Sequence, residues 1–169
     1  VVQLQALVSR TVDPLDAAVL SITQLHSGES DNVLPSTAIL RGTVRALNEQ
    51  VRAGIERQME RFIRGYAEVR GLTVDWTYER RYTATVNAKT STETAMNCAE
   101  RVVGALRVDR APDPLMGAED FGWMLRAKPG CYALLGAGEM PMLHHPHYDF
   151  NDQLIPIGAH YWVELAKGE

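Results

Sequence analysis

The apolar residues Val51, Ile55, Met59, Phe62, Ile63, Tyr66 and Val69 recur every three or four positions through NEQVRAGIERQMERFIRGYAEVRG, and no other feature constrains the fold as tightly. That spacing places them on one stripe of an α-helix, which must be covered by another layer. Asn48 suits the N-cap, Glu49 favours the positive end of the helix dipole, and Gly71 suits a left-handed stop. On the solvated face Glu60 and Arg64 can pair, which contributes only ~0.2–0.5 kcal/mol. The covering layer is offered by VLSITQLHSG (19–28), TAILRGTVRAL (37–47) and LTVDWTYERRY (72–82), which alternate apolar and polar as half-buried strands do.

Ahead of the first strand, Val1, Leu4, Leu7 and Val8 begin in mid-helix, with no cap and no initiator Met. Asp13-Pro14 ends that helix. The order helix, strand, strand, helix, strand is a ferredoxin-like unit without its first strand. The chain is therefore expected to be a piece of a longer protein. An unpaired sheet edge in such a unit is expected to be covered by another chain.

After Val86-Asn87 the texture changes. STETAMNCAERVVGAL (91–106) has Ala95, Cys98, Ala99, Val102, Val103 and Leu106 on one helical side, and AEDFGWMLRA reads as a short helix with acids in its first turn. PGCYALLGAG (129–138) fits a buried strand, and IPIGAHYWVELAKG closes with a helix. The expected fold class is α/β, of α+β type, with one domain over residues 1–84 and a second over 85–169.

Charge narrows the partners. A formal charge of −4 without a basic run argues against nucleic acid. No apolar stretch reaches the ~18–20 residues of a membrane span. Cys98 and Cys131 form no CxxC pair and read as free thiols of a reducing compartment, so the cytoplasm is expected.

Three constellations could carry chemistry. In MLHHPHYDFND, His144, His145 and His147 crowd one loop. If it is extended, His145 and His147 share a side while His144 faces away, with Asp149 or Asp152 as orienting carboxylates and Tyr148 and Phe150 packing it down. Such a loop holds a metal ligand or is a polar surface. In SGESDNVLPS and RGTVR, Asn32 and Arg45 could together hold a ligand carboxylate, or be a turn Asn and a solvated strand Arg. In GAEDF, Glu119 is a helix cap or a carboxylate facing a site.

In order along the chain, LQALVSRTVDPLDAAVLSI, SGESDNVLPSTAILRGTVR, GAEDF, PGCYALLGAG and LHHPHYDFNDQLIPIGA resemble segments of the hippurate hydrolase / N-acyl-amino-acid amidohydrolase family, part of the di-metal aminoacylase and carboxypeptidase group. The resemblance implies that residues 1–84 are the lid, which also mediates homodimerisation, and that residues 85–169 are the C-terminal part of a catalytic domain. It implies His144 as a metal ligand, from the family's LH-x-P motif, and Asn32, Arg45 and Glu119 as substrate-binding residues. His145 and His147 fall where the family accepts other residue types. Leu34 stands in place of the usual Ile, and Ala118 in place of Ser.

The implied cofactor is a divalent metal pair in the intact subunit (zinc, manganese, cobalt or nickel), which lowers the pKa of a bridging water and polarises the amide carbonyl. The other ligands and the general-base Glu are expected upstream, so no catalytic base is assigned here. The implied activity is hydrolysis of N-acyl amino acids or small peptides. The chain alone is expected to be inactive and at most weakly metal-binding. The alternative is a non-catalytic homodimerisation module or truncated remnant.

Overall fold

The computed structural model describes residues 1–168, which divide into two compact units: 1–84 with 116–118, and 85–115 with 119–168. The first runs α1 (Val2–Thr11), β1 (Ala18–Ser27), β2 (Ala38–Ala46) and α2 (Glu49–Val69). Asn48 caps α2, its Oδ1 accepting from the Gln50 N–H at 2.8 Å. At the other end Gly71 takes φ +65°, so the Gly71 N–H reaches the Glu68 carbonyl and the Leu72 N–H reaches Ala67. This is the paired-bond stop that a left-handed residue permits.

The expected stripe is covered from Val51 to Ile63, whereas Tyr66 and Val69 at its C-terminal end are exposed. Ile55 and Met59 of α2 meet Leu4 of α1 and Leu20 of β1, with Phe62, Ile63, Val44 and Trp76 packed around them. β1 and β2 form an antiparallel hairpin in which Ala18 pairs with Ala46 and Ser27 with Ala38. The register shifts between Ile22 and Gln24, leaving Thr23 as the extra residue of a bulge. Gly42 pairs with Ile22 there, and a Cβ on it would lie 2.2 Å from the Ser21 carbonyl oxygen. Only glycine fits that approach.

The expected strand 72–82 is not one: the sheet holds β1 and β2 alone among the described residues. The segment lies against α2, where Arg52 donates to the Tyr82 carbonyl, Thr83 Oγ1 donates to Glu49 at 3.1 Å and Arg80 Nε donates to Glu56 at 2.8 Å. Its alternation specified a buried face, which Trp76 supplies, but alternation does not specify a ladder partner.

The second unit holds α3 (Lys89–Val103), a 3₁₀ turn (Ala105–Arg107), α4 (Phe121–Ala127) and α5 (Leu154–Lys167), with α3 packed on α5. Ala95 and Cys98 are buried as the periodicity requires. Leu106 is not; it is fully exposed, because Gly104 at φ +85° ends α3 and turns the chain away. Residues 129–138 are not a strand either, and Leu134 and Leu135 are exposed. The Gly130 carbonyl accepts from the Ala88 N–H at 2.9 Å, and the Asn87 side chain, rather than a neighbouring strand, satisfies the Tyr132 backbone. Cys98 and Cys131 are both free thiols, Cys98 buried and Cys131 half-buried. No described helix is long and apolar enough to cross a membrane.

Candidate functional site

Asn32 and Arg45 belong to the same hairpin but do not converge. Asn32 lies in the exposed loop beyond the Ser27–Ala38 pair, its Oδ1 accepting from Ser30 Oγ at 2.7 Å. Arg45 pairs with Val19 near the opposite end. The seven residues from Ala38 to Arg45 span about 23 Å at ~3.3 Å per residue. Within one chain the two therefore lie toward opposite ends of the hairpin. The sequence separation concealed this, because a hairpin places residues by register rather than by distance along the chain. Arg45 does have a partner: its Nη1 donates to the Met116 carbonyl at 2.7 Å, anchoring the short 116–118 segment to the first unit.

In the second unit Glu119 is half-buried and precedes α4 instead of occupying its first turn. The Asp120 side chain makes no cap bond to α4, and it is Glu119 that engages the backbone N–H groups at the start of the helix. Glu119 Oε2 accepts from the Tyr132 hydroxyl at 2.8 Å and Oε1 from the Asp120 N–H at 3.0 Å. The Tyr132 hydroxyl, followed by the Asp120 donors, holds the Glu119 carboxyl below the ordinary carboxylate range. The same bond raises the Tyr132 phenol. Asn87 and Tyr132 are the residues the sequence reading missed. The only sequence signal was Asn87 directly ahead of a helix and a Tyr within an otherwise apolar run.

The histidine loop is not extended. The His145 N–H reaches the Met142 carbonyl at 3.0 Å and the Tyr148 N–H reaches His145 at 2.9 Å, making two successive turns. His144 sits at φ +70°, the only non-glycine at positive φ among the described residues. It occupies the third position of its turn, where a left-handed residue is demanded and Gly or Asn is usual. A histidine that accepts this conformation is a candidate for function. His145 and His147 lie side by side, ring centroids 5.5 Å apart, with His145 Nδ1 accepting from the His147 N–H at 3.1 Å. Residues 141–150 are all exposed, so Tyr148 and Phe150 do not pack the loop down. The turns point the aromatic rings outward instead.

His144 supplies one imidazole, but nowhere among the described residues do three His, Cys, Asp or Glu side chains gather as a metal-binding group. Among the described residues no hydrogen bond joins Asp149 or Asp152 to a histidine. The donors present do not by themselves fit a metal pair.

Residues 6–168 match the family described as Peptidase family M20/M25/M40. The hippurate hydrolase of Campylobacter jejuni is 31% identical over 166 residues, covering 98% of this chain and 43% of the relative. An IAA-amino acid hydrolase of Arabidopsis thaliana, ILR1-like 4, is 31% identical over 175 residues, covering 98% and 40%. The Bacillus subtilis YXEP protein, described as a dinuclear metal-binding peptidase of the M20 family, has the same fold over 98% of this chain and 44% of its own, with TM-score 0.75 and 26% identity. The chain thus spans less than half the length of these relatives. With a match that runs over nearly all of its residues, it belongs to peptidase family M20/M25/M40.

Proposed function

We propose that the chain is the lid and C-terminal catalytic part of a metal-dependent amidohydrolase that cleaves the amide bond of N-acyl amino acids such as hippurate. The family match carries the reading, and the left-handed His144 supports it, because a functional imidazole explains a backbone conformation that the turn alone would give to Gly or Asn. His144 is the proposed ligand to one of two divalent ions (zinc, manganese, cobalt or nickel). Glu119, Asn32 and Arg45 are the proposed substrate contacts. Asn32 and Arg45 lie toward opposite ends of one hairpin, an arrangement that suits two copies each supplying one of them to the same carboxylate. This supports a homodimer through the first unit.

The test compares hydrolysis of hippurate by the chain alone with hydrolysis by the chain extended by whatever upstream coding sequence its reading frame carries. Release of glycine by the extended protein alone, abolished by a chelator and by His144→Ala, is the expected result. Chelator-sensitive hydrolysis by the chain alone would refute its inactivity. No hydrolysis of any N-acyl amino acid by either form would refute the enzymatic reading.

A further inference from the structure

Around Glu119 the second unit builds a supporting frame. The Asn87 side-chain amide grips the Tyr132 backbone from both sides, Nδ2 donating to the carbonyl at 2.9 Å and Oδ1 accepting from the N–H at 2.8 Å. Phe121 packs on the Tyr132 ring with centroids 5.5 Å apart. The ring is thus held at its backbone and its face, and its hydroxyl delivers one hydrogen bond to Glu119 Oε2 at 2.8 Å. Oε1 is held independently by the Asp120 N–H. The Phe121 N–H adds to this hold, and a carboxylate, with about four acceptor positions, keeps capacity for a further donor at Oε2 beside the Tyr132 hydroxyl.

We propose that Tyr132, locked in place by Asn87, is the positioning residue that fixes the Glu119 carboxylate as an acceptor for an N–H donor of the substrate. This rests on the reading of Glu119 as a substrate contact and deepens it. A carboxylate held by the Tyr132 hydroxyl and by backbone N–H donors stays ionised and can only accept. The substrate group facing it is therefore an amide N–H or an ammonium, and neither a carboxylate nor a carbonyl oxygen fits. The lowered Glu119 carboxyl agrees with this, its largest cause being the Tyr132 hydroxyl. Asp120 is the other charged group beside the pair, and it also raises the Tyr132 phenol.

The experiment has two arms. In the first, carboxyl resonances of the ¹³C-labelled chain are titrated, with Glu119→Gln giving the assignment. Tyr132→Phe keeps the ring packing and is expected to move the Glu119 midpoint upward. Asn87→Ala, which never touches Glu119, is expected to move it in the same direction. An unmoved midpoint in a folded Tyr132→Phe protein would overturn the positioning role.

The second arm measures binding of hippurate against its ester isostere, O-benzoylglycolate, in which oxygen replaces the amide N–H. The unmodified chain is expected to prefer hippurate by about tenfold or more, the scale of a hydrogen bond to a charged group. Glu119→Gln and Tyr132→Phe should both reduce that preference. Equal affinity for both probes in the unmodified chain would overturn the donor assignment. If neither probe binds while the midpoint shifts as expected, the substrate reading fails and the Tyr132–Glu119 coupling stands.

Discussion

Arg45 and Met116 are 71 residues apart in sequence, yet the Arg45 Nη1 donates to the Met116 carbonyl oxygen at 2.7 Å. That bond ties the residues just ahead of Glu119 to strand β2. An exposed hydrogen bond from a charged donor contributes about 1 kcal/mol. Arg45→Ala should therefore raise the detached population of the 116–118 segment about fivefold. Chymotryptic cleavage after Leu115 or Met116, followed by mass spectrometry, would accelerate by a similar factor. Unchanged cleavage would show that other contacts hold the segment.

Two glycines should respond to the same substitution with opposite signs. Gly42→Ala places a Cβ 2.2 Å from the Ser21 carbonyl oxygen, in backbone that cannot swing aside as a side chain would. Loss of at least 2 kcal/mol is expected, the range of strain and overpacking effects. Gly54 lies inside α2 with no atom within 4 Å of a built Cβ. Gly54→Ala should stabilise the chain by about 0.5–1 kcal/mol. Urea midpoints of the two variants would decide both claims.

These contrasts show what was legible beforehand. The helices were read well because their signals are local: the Ile55–Met59 stripe, the Asn48 cap and the Gly71 stop act within a few residues. The strands 72–82 and 129–138 were over-read because alternation or an apolar run describes burial, and pairing requires a second segment in register. The candidate residues were legible as residue types in family motifs, but their geometry was not. Whether Asn32 meets Arg45 depends on hairpin register, and the hold on Glu119 depends on Asn87 and Tyr132, which are 45 residues apart. The left-handed His144 was equally unreadable, since nothing local requires histidine in that turn.

Acid should weaken the second unit. Glu164 is held below the ordinary carboxylate range first by Lys167 and then by Arg101, and Glu100 by Arg110. A carboxyl whose folded value is depressed stabilises the fold fully above its unfolded value, and the benefit is lost as pH falls through the folded value. The unfolded chain then takes up more protons than the folded one. Urea midpoints are expected to hold from pH 7 to about 5 and to drop from about 4.5 downward. Glu164→Gln should flatten that drop, and an identical pH profile in the variant would remove Glu164 from the explanation.

His144 allows stability and chemistry to be separated. Its φ of +70° is one that glycine adopts freely and that asparagine tolerates better than other side chains. His144→Asn should therefore leave the stability within about 0.5 kcal/mol of the unmodified chain, and His144→Gly should hold or raise it by relieving the positive φ. Both remove the imidazole proposed to bind metal. In the extended protein, zinc content after dialysis and hippurate hydrolysis are expected to fall together in both variants while the melting curve does not shift downward. A variant that keeps its metal and its rate would show that the conformation serves the turn and that the ligand lies elsewhere.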